Sequence, residues 1–312
     1  MTKALYVAST GGHLAQLHRL EPSFGTSDDS LWVTFENEQS RSLLDGRRVH
    51  FVPYVGPRDV RGALRAARQV NRILSSEQFD LAVSTGAAPA ATILPLAKRR
   101  GVRTVYIESV SRVQGPSLAG RIVAKMRSAE TFTQHHSWAG DRWTYTPGVL
   151  GNYRRVPRPA ATRPSLFVTL GTIEGFSFER LVRRIVEIGA ADERTVWQLG
   201  HTRVDFKLPG TVYDHMSATQ FAEVAQRSDV VVSHSGVGSL LGFLDSGIYP
   251  VLVTRRRSHR EHVDDHQTQI AALAQTRKIA VGCEVDALSY ETIRHASGFR
   301  IAPTAVEPAA LV

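Results

Sequence analysis

A chain of 312 residues with 42% apolar and 21% charged residues has the composition of a folded globular protein, and its length favours two domains over one. Its formal charge of +9 is unevenly spread, because residues 1–155 hold 21 Lys and Arg against 12 Asp and Glu while residues 156–312 hold 17 against 17. The lone Cys283 excludes an internal disulfide and a cysteine-built zinc site, and no apolar run reaches the roughly 18 residues of a membrane-spanning helix.

The first half alternates β-rich runs with helical segments. KALYVAS, LWVTF, VHFVP, DLAVST and VRTVYIES read as strands, with helices expected over 59–76 and 87–100. That alternation is the pattern of βαβ units and of a parallel sheet buried on both faces. Arg61, Arg65, Arg68 and Arg72 recur at helical spacing and form one row. The row reads either as a solvated face or as a patch for an anionic membrane surface. Nucleic acid is not an expected partner, since no recognised binding motif and no basic-aromatic interleaving accompanies the arginines.

A first domain is therefore expected over residues 1–150. Residues 151–164, with three prolines and four arginines and no apolar periodicity, read as a linker. The strand pattern restarts with SLFVTLGT, TVWQLG, TVYD, DVVVSH and PVLVT, giving a second domain over 165–300 and a poorly structured tail from about 299, over 301–312. Two consecutive doubly wound sheets imply a ligand cleft between them.

The loops after the strands carry the chemistry. Thr10, Gly11, Gly12 and His13 follow the first strand and open a helix, where free backbone N–H groups suit an anion and imidazole suits proton transfer. The same glycines also serve a tight strand-to-helix turn, and neither a G-x-G-x-x-G nor a G-K-[ST] motif is present. Thr85 with Gly86, and Glu108 with Ser109, end two further strands and are expected at the same edge. In the second half, Gly171 and Thr172 end one strand, and His234, Ser235, Gly236, Gly238 and Ser239 join another to a helix in a form suited to a diphosphate. Arg255 and Arg256 follow the PVLVT strand, and then come Glu261, His262, Asp265, His266 and Gln267, a set suited to sugar or ribose hydroxyls. His262 and His266 stand four apart, but without H-E-x-x-H spacing a metal is not expected.

These motifs, in this order, resemble glycosyltransferase family 28. VASTGGHLAQL, STGAAPA and YIESVSRVQGPSLAGRI are similar to the membrane-recruiting subunit of the two-subunit UDP-GlcNAc transferase of asparagine-linked glycosylation. LFVTLGT, VVVSHSGVGSL and EHVDDHQTQIA are similar to its catalytic subunit, and the last stretch resembles bacterial capsule and exopolysaccharide transferases; the peptidoglycan member of the family is more distant.

The resemblance implies an α/β chain of GT-B type, with two Rossmann-like doubly wound domains. It implies inverting transfer from a UDP-sugar to a polyprenyl-diphosphate-linked sugar in cell-surface polysaccharide synthesis, without a cofactor or metal, peripherally on the cytoplasmic face of the cell membrane. In that reading His13 is the general base, oriented by Glu108 or a nearby hydroxyl. Thr10, Gly11, Gly12, Thr85, Gly86 and Ser109 hold the acceptor, and the donor's uracil lies against the backbone near His215 and Met216. Several relatives place a ribose-binding Glu where this chain has Gly242, so Asp265 or Gln267 is expected to substitute. A UDP-GlcNAc epimerase and a noncatalytic recruiting module are the alternative readings.

Overall fold

The computed structural model describes residues 2–56, 59–171, 175–262 and 265–304, and the chain divides into two compact units between Gly151 and Asn152. The first unit runs β1 (Ala4–Val7), α1 (Gly12–Leu20), β2 (Leu31–Phe35), α2 (Glu38–Leu43), β3 (Arg48–Val52), α3 (Val60–Ser76), β4 (Leu81–Ser84), α4 (Ala87–Arg99), β5 (Arg103–Ile107), α5 (Leu118–Lys125), β6 (Glu130–Thr133) and β7 (Thr144–Tyr145). Its seven strands are parallel, in the spatial order β3-β2-β1-β4-β5-β6-β7. Every residue of β1, β2 and β4 is buried, which explains runs of apolar residues without alternation.

Crossovers from β1 to β2 and from β2 to β3 run one way along the sheet, and those from β3 to β4 and onward run the other. Right-handed connections therefore send α1 and α2 to one face and α3, α4 and α5 to the opposite face. Helix α3 shows how sequence sets this packing. Gly62, Ala63, Ala66, Ala67, Val70 and Leu74 point inward and keep its body close to α4, while Arg61, Arg65, Arg68 and Arg72 are exposed. Its start is fixed by Asp59, whose carboxylate accepts from the Gly62 N–H at 2.8 Å.

The second unit runs β8 (Tyr153–Pro157), β9 (Leu166–Thr169), α6 (Glu179–Glu187), β10 (Val196–Gln198), β11 (Thr211–Tyr213), α7 (Ala218–Arg227), β12 (Val230–His234), α8 (Val237–Asp245), β13 (Val251–Val253), α9 (His266–Thr276), β14 (Val281–Cys283), α10 (Tyr290–Ser297) and β15 (Phe299–Pro303). Six of these strands form a parallel sheet in the order β11-β10-β9-β12-β13-β14.

Two expectations need correction. Residues 153–157, read as linker, form a strand, and residues 299–303, read as the start of a loose tail, form its antiparallel partner. The pair is stabilised by side chains as well as by its ladder. The Arg155 guanidinium lies 4.3 Å over the Phe299 ring, the Ile301 N–H donates to the Gly247 carbonyl at 2.9 Å, and Ile301 is buried. Partners so far apart in the chain leave no local period to read, and the prolines sit at strand ends, where a missing N–H costs no ladder bond. Residues 305–312 of the expected tail lie outside the described residues.

Ile301→Ala is expected to lower the stability of the second unit by about 2–4 kcal/mol, as for other buried large-to-small changes. A melting curve unchanged from wild type would mean that this segment does not belong to the core.

Candidate functional site

In the first unit, β1 and β4 are neighbours whose chains leave toward opposite faces, so the gap at their carboxyl ends is the place where a doubly wound sheet binds ligands. The residues filling it are those the sequence marks. Gly11, at φ +83°, turns the chain into α1, and its peptide is held on both sides by Gln39 of α2, which accepts from the Gly11 N–H at 2.6 Å and donates to the Gly11 carbonyl at 3.2 Å.

His13 then reaches across to β4. Its Nδ1 lies 2.7 Å from the Thr85 carbonyl oxygen, and the Thr85 hydroxyl donates back to the His13 carbonyl at 2.8 Å. A carbonyl only accepts, so the neutral ring carries its proton on Nδ1 and its lone pair on Nε2. Gly86, at φ +128°, makes this approach possible, because a Cβ there would lie 2.7 Å from the His13 Cε1.

Glu108 serves a different partner from the one expected. One carboxylate oxygen accepts from the Ser117 N–H at 2.8 Å and the Ser117 hydroxyl at 3.0 Å; the other accepts from the Ser109 N–H at 3.1 Å. Burial raises its pKa against the pull of those hydrogen bonds. The Thr85 carbonyl orients His13, and Glu108 anchors the start of α5.

Ser109 joins a buried amide network that the sequence reading missed. The Gln16 amide donates to the Ser109 hydroxyl at 3.0 Å and to the Gly12 carbonyl at 2.9 Å, and accepts from the Val110 N–H at 2.8 Å. Gln134 extends the network to the Glu108 carbonyl at 3.0 Å and accepts from the Val149 N–H at 2.9 Å. Glutamines on a helix and in a loop carry no local signal of such a role.

The second unit has the same geometry between β9 and β12. His234 ends β12 with its ring between two glycines: a Cβ at Gly171 would lie 2.7 Å from Cε1, and one at Gly236 would lie 2.4 Å from Nε2. Burial, then the charges of Arg255 and His262, push His234 down to about 3, so it is neutral at physiological pH.

Arg255 is 1% exposed. It donates through Nη2 to the Leu170 carbonyl and lies 5.3 Å over the Phe178 ring. Burial lowers it to about 10, which leaves it charged. Its Nε and Nη1, together with the hydroxyls of Ser233, Ser235 and Thr254, are buried without a hydrogen-bond partner among the described residues. A desolvated guanidinium with two unfilled donor directions, beside His234 at the end of β12, has the chemistry to receive an anion. Gly238 and Ser239 lie in the first turn of α8.

Other expected donor residues divide by role. Buried Glu261 is consumed by a fork from Arg180 at 3.0 and 3.2 Å and by the Arg256 N–H at 2.9 Å, so it is structural. Met216 packs in the core cluster with Phe167 and Phe243, and His215 stands edge-on to His201. Gln267 accepts from the Arg255 N–H at 3.4 Å, Asp265 from the Arg257 N–H at 2.9 Å, and His262 stacks on Phe176. Thr172 lies outside the described residues, as does the side chain of His266. A Cβ at Gly242 would meet open space.

Residues 166–293 match the glycosyltransferase family 28 C-terminal domain. No curated protein matches the chain. Among solved structures, the chain is similar to MurG of Acinetobacter baumannii, with a TM-score of 0.58 and 18% identity over 94% of this chain and 89% of that one. The glycosyltransferase SnogD from Streptomyces nogalater gives 0.56 and 19% over 95% and 93%. The Streptomyces sp. SF2575 glycosyltransferase SsfS6, complexed with thymidine diphosphate, gives 0.53 and 15% over 95% and 96%. At these identities the likeness establishes the GT-B fold.

A histidine depressed in the folded state contributes stability that is complete above its unfolded value of 6.5 and is lost as pH falls. From about pH 6 to about pH 4, wild type should lose about 1.4 kcal/mol more per pH unit than His234→Gln. Parallel stability-against-pH curves for the two proteins would show that His234 is not held neutral.

Proposed function

We propose that this chain, a GT-B glycosyltransferase with a family 28 C-terminal domain, transfers a hexose from a UDP-sugar to a hydroxyl of a polyprenyl-diphosphate-linked sugar, with inversion. The observation that carries the donor half of this reading is Arg255, buried with unfilled donors beside His234 at the end of β12, the strand that leads into α8. As the sugar–diphosphate bond breaks, negative charge builds on the leaving UDP, and a fixed guanidinium with helix N–H groups stabilises it without solvent reorganisation. That stabilisation requires no metal. Thymidine diphosphate in SsfS6 is a nucleoside diphosphate bound by the same fold.

In the acceptor half, the His13 Nε2 lone pair takes the proton of the attacking hydroxyl, while the Thr85 carbonyl stabilises the imidazolium through Nδ1–H. His13→Ala should reduce kcat by about two to four orders of magnitude with UDP affinity unchanged. Arg255→Gln should instead weaken UDP binding by about 10- to 100-fold in the presence of EDTA. Wild-type turnover in His13→Ala would eliminate the base assignment. Interconversion of free UDP-sugars without glycosylated acceptor would favour the epimerase reading.

A lipid-linked acceptor calls for a membrane-facing surface. No helix among the described residues is long and apolar enough to cross a membrane. On the face shared with α3, helix α5 exposes Leu118, Ile122 and Met126 in one row, with Arg121, Lys125 and Arg127 exposed alongside. An apolar row with basic flanks suits the boundary of an anionic bilayer. Ile122→Asp with Met126→Asp should abolish cosedimentation with phosphatidylglycerol vesicles. Arg65→Glu with Arg68→Glu should weaken it most at low salt. Vesicle binding indifferent to both pairs would reject this surface.

A further inference from the structure

Resting on the transfer to a sugar acceptor, we propose that the cavity at the ends of β2 and β3 is a pyranose subsite that takes an uncharged ring of that acceptor. The cavity has a volume of about 510 Å³, within the range of small-molecule sites. Thr10, Phe35, Glu36, Asn37, Tyr54 and Gln69 are among its lining residues.

Its chemistry is that of a carbohydrate site. Tyr54 is 71% exposed, yet its ring is held edge-on against Phe35, with centroids 5.2 Å apart at 66°. An aromatic face fixed in water at a cavity wall gains by covering the C–H face of a sugar ring. Gln69 adds an amide, Asn37 adds its amide N–H groups while its oxygen caps α2 through the Ser40 N–H, and Glu36 keeps one carboxylate oxygen beside the one that Arg41 holds, which together match the donors and acceptors of vicinal hydroxyls.

Charge narrows the class further. Among the described lining residues the one charged group is Glu36, and Arg41 pairs with it at 2.6 Å, so the wall is close to neutral and suits an uncharged ring. The start of α1 adjoins it and, with the Gly11 N–H held by Gln39, leaves the Gly12 N–H as the backbone donor for an anionic part of the acceptor. Thr10 borders both places, and the Gln39 clasp on Gly11 ties α2, capped by Asn37, to the His13 turn. The neutral ring and the anionic part of one acceptor are thereby separated along a single sheet edge.

The test is saturation-transfer NMR on the full chain with the methyl β-glycosides of glucose, galactose and N-acetylglucosamine at millimolar concentration, with and without UDP. At least one pyranoside should receive saturation, retained in Tyr54→Phe, weakened about three- to tenfold in Tyr54→Ala, and not displaced by UDP. No transfer to any of the three, equal transfer in Tyr54→Ala, or displacement by UDP would overturn the subsite. Because the assay contains no donor sugar, a chain that binds pyranosides at Tyr54 but does not bind UDP would keep the subsite and remove the transferase reading.

Discussion

A parallel strand returns to its sheet only through a right-handed crossover, so where the strand order reverses, two neighbours must send their chains to opposite faces and leave a gap at their carboxyl ends. That gap falls between β1 and β4 in one unit and between β9 and β12 in the other. Both units fill it with an imidazole pressed against glycine. In the first, His13 follows β1 and Gly86 follows β4; in the second, His234 belongs to β12 and Gly171 follows β9. The glycines are required because their neighbours occupy the volume where a Cβ would stand. Similar backbones then yield different chemistry through burial. His13 is half-buried with its tautomer set by a carbonyl, whereas His234 is buried and held neutral beside a cation.

In the proposed donor site, that cation couples the second unit's stability to the ligand. Taking a guanidinium out of water is costly, and the Leu170 carbonyl and the Phe178 ring offset only part of the cost. Under the proposed function, an anion filling the remaining donors would offset the rest, and the ligand-free and ligand-bound forms would differ in stability by mass action. Glu261 contributes at one remove: forked by Arg180 and bonded to the Arg256 N–H, it fixes the loop that follows Arg255.

Much of this was legible in the sequence because its cause is local. Strands β1 to β5 and β9 to β13 announce themselves as apolar runs, and glycine followed by histidine at a strand end marks a place where backbone and side chain come close. Strand β8 was not legible, since its pairing with β15 is a contact between distant segments and its arginines resemble a solvated linker. Glu108 was misread for a related reason. A carboxylate expected at the same sheet edge as a histidine suggests an ion pair, but Ser117, nine residues along from Glu108, supplies two donors at a helix start. Gln16, Gln39 and Gln134 escaped notice because amides reveal their role only through the backbone groups they meet.

The β8–β15 ladder also imposes an order on biosynthesis. The first unit's sheet is complete by Tyr145, so that unit can fold while the ribosome is still translating the second. The second unit opens with a strand whose mate is translated about 140 residues later, and β8 must wait with an unpaired edge until residue 303 has left the exit tunnel. A gene divided between codons 151 and 152 would keep both partners in one polypeptide. One divided near residue 160 would strand β8 on the wrong product and leave β15 without a mate.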